Sequence, residues 1–280
     1  MFMKVFAIGD LHLSGNPPTK PMDIFGPHWD NHWSRIKEDW IDRVTDEDIV
    51  FLVGDMSWAL RLDEAACDLQ EIASMPGKKY MIRGNHDYWW ASANKMRNLM
   101  GDAITFLQGH GTAELIQTEE GPRIIAFGGT RAYLCPGDSH FTPETDQSIY
   151  DRELMRTEAA LQEMNKAVEI LREEITAEAN VDITKLNKAD TTDSDKAYPS
   201  AIDIDSIPVT KILLLHYPPF NESNAPSGFT DLIEQYKVDT CIFGHLHDQI
   251  SFKRIPKEFG SAKLELVSAD YLDFRLKEIM

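Results

Sequence analysis

Five short apolar runs in this chain each end at a cluster of polar residues, and this repeated feature restricts the fold more than any other. The clusters are Gly9-Asp10-Leu11-His12, Gly54-Asp55, Arg83-Gly84-Asn85-His86-Asp87, His216 and Gly244-His245-Leu246-His247. In open α/β sheets, ligands bind beyond the carboxyl ends of the strands. If the five runs are neighbouring strands, their terminal side chains meet at one end of the sheet. The pattern therefore predicts an α/β fold with a polar site at that end.

Strands and helices alternate along much of the chain. The predicted strands are Lys4–Ile8, Ile49–Val53, Lys79–Ile82, Ile124–Phe127, Lys211–Leu215 and Thr240–Phe243. The predicted helices are Trp33–Val44, Asp63–Ala73, Ala91–Met100 and Thr230–Tyr236. This alternation is typical of βαβ units and a largely parallel sheet. Two later segments, Ile250–Ile255 and Lys263–Val267, are predicted to close the fold as an antiparallel pair.

A long amphipathic helix is predicted at about 148–178. Apolar residues recur there at three- and four-residue steps, and charged residues fill the other faces. We expect the apolar stripe to pack on the domain's own surface; a homodimer formed through the helix is the alternative. The following residues, about 180–206, are polar and are predicted to form a surface loop. The whole chain, 1–280, is interpreted as a single domain.

Composition narrows the classes of function. Lys and Arg number 28 and Asp and Glu number 46, which gives a net charge of 28 − 46 = −18. A chain this acidic is poorly suited to non-specific nucleic-acid binding or to an anionic membrane surface. The three cysteines are too few and too far apart for a disulfide framework. No apolar run approaches the roughly 18 residues of a membrane-spanning helix, so we expect a soluble, cytoplasmic protein.

The polar clusters contain donors for metal ions. Together they supply two Asp, one Asn and four His side chains: Asp10, His12, Asp55, Asn85, His216, His245 and His247. Oxygen and nitrogen donors without a thiolate suit hard-to-borderline divalent cations. One tetrahedral site needs only three or four donors. Seven donors, with Asp55 as a bridge, match two metals about 3.5–4 Å apart.

The spacing within the clusters supports this interpretation. Residues i and i+2 of an extended segment point the same way, so Asp10 and His12 can bind one ion together. Asn85 and His86 are adjacent and point apart, which leaves one to bind metal while the other faces a substrate. A glycine directly precedes four of the seven donors and permits tight turns. Each cluster alone would be an ordinary turn or a loop histidine, so the argument depends on all five together.

In order, Asp-x-His, Gly-Asp, Gly-Asn-His-Asp, His and Gly-His-x-His resemble the motifs of the calcineurin-like metallophosphoesterase superfamily, most of all its prokaryotic phosphohydrolase branch. The resemblance spans Asp10 to His247. It implies a four-layer αββα sandwich with mixed sheets and a metal site at the carboxyl ends of the strands. It also implies how the donors divide: Asp10, His12 and His247 for the first metal, Asn85, His216 and His245 for the second, and Asp55 as the bridge.

The same resemblance implies the catalytic residues and the cofactors. His86 would contact the substrate phosphate and protonate or stabilise the leaving group, Asp87 would orient His86, and Arg83 would contact the phosphate. Two divalent cations would lower the pKa of a bridging water and so provide a hydroxide nucleophile. Manganese is the first choice, with iron, zinc, cobalt and nickel as alternatives. The expected protein is a dinuclear metal-dependent phosphoesterase that acts on a small phosphoester.

Two departures from the family pattern bear on the substrate. Met56-Ser57-Trp58-Ala59 stands where protein phosphatases of this superfamily carry a Val-Asp-Arg-Gly type sequence, so protein-phosphatase activity is not expected. His12-Leu13-Ser14 stands in place of His-Gly. A phosphodiesterase or nuclease of the same superfamily is the alternative, although the net charge opposes a nuclease. A non-catalytic metal-binding scaffold is the other alternative, and the complete set of donors argues against it.

Two further features are left open by the sequence. Aromatic residues lie beside the polar clusters at Trp58, Tyr88, Trp89, Trp90 and Tyr217. They are interpreted as core packing, with a wall that stacks a base or sugar as the alternative. The Gly/Pro-rich segment Gly15–Pro27 is too long for an ordinary connection, so we expect it to be functional or mobile.

Overall fold

The structure, a computed structural model, describes the backbone of residues 2–189 and 204–280, and the side chains of 2–177 and 204–280. Two mixed β-sheets form its centre. The first sheet has the strand order β11-β1-β2-β3-β4. Its strands are β1 (Val5–Ile8), β2 (Ile49–Val53), β3 (Lys78–Ile82), β4 (Ile104–Phe106) and β11 (Lys277–Glu278). All pairs in this sheet are parallel except β1 with β11, so the expected parallel sheet is present with one antiparallel edge.

The second sheet has the strand order β5-β6-β7-β8-β10-β9. Its strands are β5 (His110–Thr118), β6 (Gly121–Thr130), β7 (Val209–Leu215), β8 (Thr240–Phe243), β9 (Glu258–Phe259) and β10 (Ala262–Leu266). The four central strands, β6, β7, β8 and β10, are parallel to one another, and the outer strands pair antiparallel. Parallel strands β7 and β8 therefore point their carboxyl ends in one direction.

In the described part of the chain, six α-helices cover the sheets. They are α1 (His32–Arg43), α2 (Leu62–Ala73), α3 (Ala93–Met100), α4 (Pro143–Ala189), α5 (Gly228–Gln235) and α6 (Gln249–Arg254). None of the described helices is long and apolar enough to cross a membrane.

Three apolar layers join these elements. Trp40 of α1 packs against the first sheet. Phe51 of β2 and Phe127 of β6 meet between the two sheets, with ring centroids 4.9 Å apart. Met164 of α4 and Phe229 of α5 pack on the second sheet. The order helix, sheet, sheet, helix confirms the four-layer αββα sandwich. It also explains why β1, β2 and β8 are continuous apolar runs, since strands covered on both faces have no polar side.

The long helix begins earlier and ends later than predicted. Its apolar stripe, which includes Tyr150, Leu161, Met164 and Val168, belongs to the core over the second sheet. The expectation that the stripe packs on the domain's own surface is confirmed there, and a homodimer through α4 stays a prediction. Residues 180–189 were predicted to begin a polar loop but belong to α4, since they contain neither the glycine nor the proline that most readily ends a helix. Of the rest of the predicted loop, residues 190–203 lie outside the described residues, and Ile204–Ser206 form a short 3₁₀ turn.

The predicted closing pair of antiparallel strands is wrong. Residues 249–254 form α6, because the Asp248 carboxylate accepts hydrogen bonds from the backbone N–H groups of Ile250 (3.0 Å) and Ser251 (2.9 Å) and so caps a helix. Strand β10 instead lies parallel to β8 and antiparallel to the short strand β9.

Candidate metal centre

The loops that follow β1 and β2 are tied together by their backbones. The Asp10 N–H donates to the carbonyl of Gly54 (2.9 Å), and the His12 N–H donates to the carbonyl of Asp55 (3.0 Å). The second sheet is tied to the same loops. The Gly9 N–H donates to the carbonyl of Val267 (2.7 Å), which directly follows β10. The carboxyl ends of strands from both sheets therefore meet at one place.

Four of the predicted donors have left-handed backbone conformations. Their φ angles are positive: Asp10 (59°), His12 (48°), Asp55 (55°) and His245 (72°). Such conformations cost on the order of 1–3 kcal/mol for residues other than glycine and cluster at functional sites. The adjacent glycines permit the close approach of the loops. A Cβ at position 84 would overlap the Asp55 carboxylate, and one at position 244 would press on the Asp10 carboxylate.

The first group of donors is compact. His247 Nε2 lies 3.4 Å from Asp10 Oδ1 and 3.4 Å from His12 Nε2. The ligand atoms of Asp10, His12 and His247 all lie within 4.8 Å of one another, as a single cation requires. Both Asp10 Oδ1 and His12 Nδ1 are buried without a hydrogen-bond partner among the described residues. These are the residues that the resemblance assigns to the first metal.

The second group of donors lies beside the first. Asn85 Oδ1 is 2.6 Å from His216 Nε2 and 2.8 Å from His245 Nδ1. Asp55 Oδ2 is 3.5 Å from His216 Nε2 and 3.9 Å from His12 Nε2. The Asp55 carboxylate therefore faces one member of each group, as a bridging ligand must. All seven predicted donors are brought together.

Two histidines are oriented by groups outside the set of seven. His247 Nδ1 lies 3.0 Å from Asp270 Oδ1, and His216 Nδ1 lies 3.0 Å from the carbonyl oxygen of Val53. In each case the second ring nitrogen is left facing the donor cluster, an arrangement common around protein metal sites. Sequence reasoning missed Asp270. It lies four residues after the end of β10, a strand that alternates polar and apolar residues, so the signal that identified Asp10 after β1 is weaker here.

The electrostatics of the site are dominated by burial. Burial lowers the pKa of His12 to about 3, and burial with the nearby His216 lowers the pKa of His245 to about 3. Both rings are therefore neutral donors at physiological pH. Burial raises the pKa of Asp55 to about 7. For His247, burial alone would lower the pKa, but the carboxylates of Asp10 and Asp270 outweigh it and raise the pKa to about 10.

Asp87 has different partners from those expected. Its buried carboxylate accepts hydrogen bonds from the backbone N–H groups of Asp55 (2.9 Å), Met56 (2.9 Å) and Gly84 (2.7 Å), and from the indole of Trp89 (3.0 Å). No hydrogen bond between Asp87 and the His86 imidazole is present among the described residues. Asp87 therefore joins the loop after β2 to the loop after β3, rather than orienting His86.

The imidazole of His86 belongs to neither group of donors. Its backbone N–H donates to Asp55 Oδ1 (2.7 Å), while its half-buried ring lies 4.5 Å from the ring of Trp58. The ring lines a cleft of about 540 Å³ that also contains His12, His245 and His247. Burial lowers the pKa of His86, followed in effect by the nearby His216. This placement beside the donors, facing the cleft, suits a group that meets a substrate.

No hydrogen bond or ion pair joins the Arg83 side chain to the donors in the described part of the chain. Burial, followed by the charge of Arg131, lowers the pKa of Arg83, and its Nε is buried without a hydrogen-bond partner there. Contact with a substrate phosphate therefore stays a prediction for Arg83.

The aromatic residues near the clusters have two kinds of surroundings. Trp89 is buried and Trp90 packs partly buried against the core, as predicted for packing residues. Trp58 stacks on His12 with ring centroids 4.6 Å apart, and Tyr217 lies over His245 at 4.1 Å. Tyr88 is 57% exposed. Trp58 and Tyr217 therefore form walls of the site rather than only filling a core.

Comparison with known proteins gives one family and several distant structures. The model of the calcineurin-like phosphoesterase family matches residues 3–249. No curated protein matches the chain significantly. Among solved structures, the calcineurin-like phosphoesterase YfkN from Bacillus subtilis is 12% identical, with 99% of this chain and 88% of that chain covered and a TM-score of 0.45.

Two other solved structures match over almost the whole of both chains. TT1561 of Thermus thermophilus is 10% identical, with 99% of this chain and 98% of that chain covered and a TM-score of 0.47. AQ665 from Aquifex aeolicus, a protein of unknown function, is 12% identical, with 99% and 95% covered and a TM-score of 0.43. Because the family model spans most of the sequence, the chain belongs to the calcineurin-like phosphoesterase family.

Proposed function

We propose that this protein hydrolyses a small phosphoester with the help of two divalent cations. The observation that carries the proposal is the convergence of seven oxygen and nitrogen donors, with Asp55 facing a member of each group. The donor chemistry fits divalent cations of the hard-to-borderline kind, and manganese is the first choice. The buried Asp10 Oδ1, which has no hydrogen-bond partner among the described residues, supports a cation at this position.

We propose that the donors divide between the two cations as the resemblance implies, and the short distances within each group support that division. Asp10, His12 and His247 would hold the first cation, and Asn85, His216 and His245 the second. Asp55 would contact both. Two such cations supply Lewis-acid stabilisation of a phosphoryl group and lower the pKa of water.

The remaining chemistry comes from the protein's own side chains. His86 faces the cleft beside the donors, where its imidazole would contact the phosphoryl group and give a proton to the departing oxygen. Trp58 holds the rings of His12 and His86 in place from one side. Asp87 keeps the loops that carry Asp55 and Asn85 at a fixed separation through its hydrogen bonds to their backbones.

The three cysteines are free thiols, which supports a reducing, cytoplasmic location.

The experiment that tests the function compares metal content with turnover. The wild-type protein is stripped with chelator, reloaded with manganese, and measured by mass spectrometry and with a nitrophenyl phosphate ester. The Asp55→Asn variant should lose both metals and most turnover. Asp48→Asn is the matched control, because Asp48 is also a buried, hydrogen-bonded aspartate but lies at the amino end of β2, away from the donors.

Two results would contradict the proposal. A reloaded wild-type protein that holds two metals but hydrolyses neither phosphate monoesters nor diesters would exclude the function. An Asp55→Asn variant that still holds two tight metals would exclude the bridging role. Comparison of mono- and diester substrates also separates a phosphomonoesterase from the phosphodiesterase alternative.

A further inference from the structure

A second cavity opens beside the metal centre. It has a volume of about 340 Å³. Its lining has an apolar part, formed by Tyr133, Tyr217, Phe220, Leu246 and Ile255, and a polar part that includes Asp138, Glu222 and Arg254. His245 lines both this cavity and the cleft that contains His86. A molecule with its phosphate at the metal centre could therefore extend past His245 into this space.

The aromatic walls of the cavity are fixed by their neighbours. The ring of Tyr217 lies 4.1 Å from the ring of His245 and 5.7 Å from the ring of Tyr133. Phe220 packs edge-on against the buried Phe243 at 5.6 Å. Aromatic pairs prefer offset or edge-to-face contacts at about 4.5–7 Å. Flat, immobilised walls of this kind suit a planar guest better than a flexible chain.

Tyr217 also has an unused hydrogen-bonding group. Its side chain is only 8% exposed, yet its hydroxyl has no hydrogen-bond partner among the described residues. Other buried or half-buried tyrosines do have partners for their hydroxyls: Tyr80, Tyr133 and Tyr150. The Tyr217 hydroxyl is not among the fully buried polar atoms that lack a partner, so solvent or a bound molecule can reach it. A ligand in the cavity can therefore accept a hydrogen bond from Tyr217.

We propose that this cavity binds the organic group of the phosphoester, and that this group carries a planar aromatic or heteroaromatic ring. The inference rests on the proposed function, because the phosphate of the same molecule occupies the metal centre. The cavity volume lies near the lower end of small-molecule sites, which span about 300–1,000 Å³, so it accommodates one ring system rather than a polymer.

The first test compares two non-hydrolysable ligands that differ only in the ring. Ethylphosphonate and 2-phenylethylphosphonate are titrated into the manganese-loaded protein by calorimetry. The phenyl compound should bind about 10- to 100-fold more tightly, the range expected for burying one phenyl-sized group. Equal affinities would overturn the inference.

The second test fills the cavity. Ile255→Trp places a large side chain into the space and should abolish the preference for the phenyl compound while leaving the affinity for ethylphosphonate unchanged. Ile250→Trp is the matched control, because Ile250 lies on the neighbouring helix α6 but is 63% exposed and does not line the cavity. Retention of the full preference in Ile255→Trp would place the ring elsewhere and overturn the inference. The wild-type comparison remains decisive even if Ile255→Trp fails to fold.

Hydrolysis separates this inference from the proposed function. The test compounds are ethyl phosphate, 2-phenylethyl phosphate and the methyl diester of each. If the loaded wild-type protein hydrolyses none of them, the proposed function fails. If it hydrolyses the ethyl and phenylethyl compounds with equal kcat/KM, the function stands and the ring-binding cavity is refuted. Both compounds release an alkoxide, so a difference in kcat/KM reports on binding of the ring rather than on the leaving group.

Discussion

Replacement of Asp87 by asparagine tests the role of this buried carboxylate. It either holds together the loops after β2 and β3, which carry Asp55 and Asn85, or orients His86. In the structure, Oδ1 accepts the N–H groups of Met56 and the Trp89 indole, and Oδ2 accepts those of Asp55 and Gly84. An amide has only one acceptor oxygen, so in either orientation its NH₂ group faces N–H donors. At least two buried donors therefore lose their acceptor.

The size of the effect follows from those two donors. A buried N–H group that loses its acceptor costs about 1–3 kcal/mol, so Asp87→Asn should lower the free energy of unfolding by about 2–6 kcal/mol. The loss must appear in chelator, without any metal, because it arises from the protein's own hydrogen bonds. In either orientation at least one backbone N–H of the loop that carries Asp55 loses its acceptor, Met56 in one case and Asp55 in the other, so metal affinity should also fall.

Urea denaturation in chelator and metal content after reloading measure the two effects. Asp48→Asn again serves as the control, since it also disturbs a buried carboxylate that accepts backbone N–H groups. We expect the control to lose stability and to keep both metals. If Asp87→Asn lost less than about 1 kcal/mol in chelator but slowed turnover, the carboxylate would act on His86 instead, and our assignment would be wrong.

Three further predictions concern the same site. Gly84→Ala should lose both metals because its Cβ overlaps the Asp55 carboxylate, whereas Gly101→Ala, whose Cβ meets nothing within 4 Å, should keep them in the same mass-spectrometric assay. His86→Ala should keep both metals and slow alkyl phosphoesters about 10²–10⁴-fold, but nitrophenyl esters much less; equal rate losses would leave it only a positioning role. In the metal-free protein the pKa of His247 is raised to about 10, so the protonated ring stabilises the folded state. This contribution to stability is complete below about pH 6.5 and should be lost as the pH rises to about 10. Metal binding near neutral pH should accordingly release a proton from His247 and part of a second one from Asp55, whose pKa is about 7, and it should tighten as the pH rises. Calorimetry in two buffers of different ionisation enthalpy measures this release, and a release of clearly less than one proton would show that His247 is already neutral.

Much of the site could be predicted because its donors directly follow buried strands. Asp10, Asp55, Asn85, His216 and His245 each come after an apolar run, and parallel strands bring such ends together whatever the rest of the fold does. The glycines directly before four of these donors, all except His216, gave a second, independent signal. Strands β2 and β8 were predicted with the bounds that the structure gives.

Other features depend on contacts between distant parts of the chain. The roles of Asp87 and Asp270 are set by partners that spacing alone does not identify. Strand β5 escaped prediction because most of its residues are only partly buried, so it lacks the apolar run of a central strand. Residues 249–254 have the alternating pattern of a strand, but the Asp248 cap decides in favour of a helix.

The placement of the donors has a consequence for when the proposed metals could bind during synthesis. His12 and His247 are separated by 235 positions along the chain but lie 3.4 Å apart. A ribosome-bound chain that has emerged only as far as Asp55 contains less than half of the donors, and both sheets must pair before the rest arrive. Contacts this distant in sequence form late in folding. Metal uptake should therefore follow completion of the fold. A molecule that contains metal has then already folded completely.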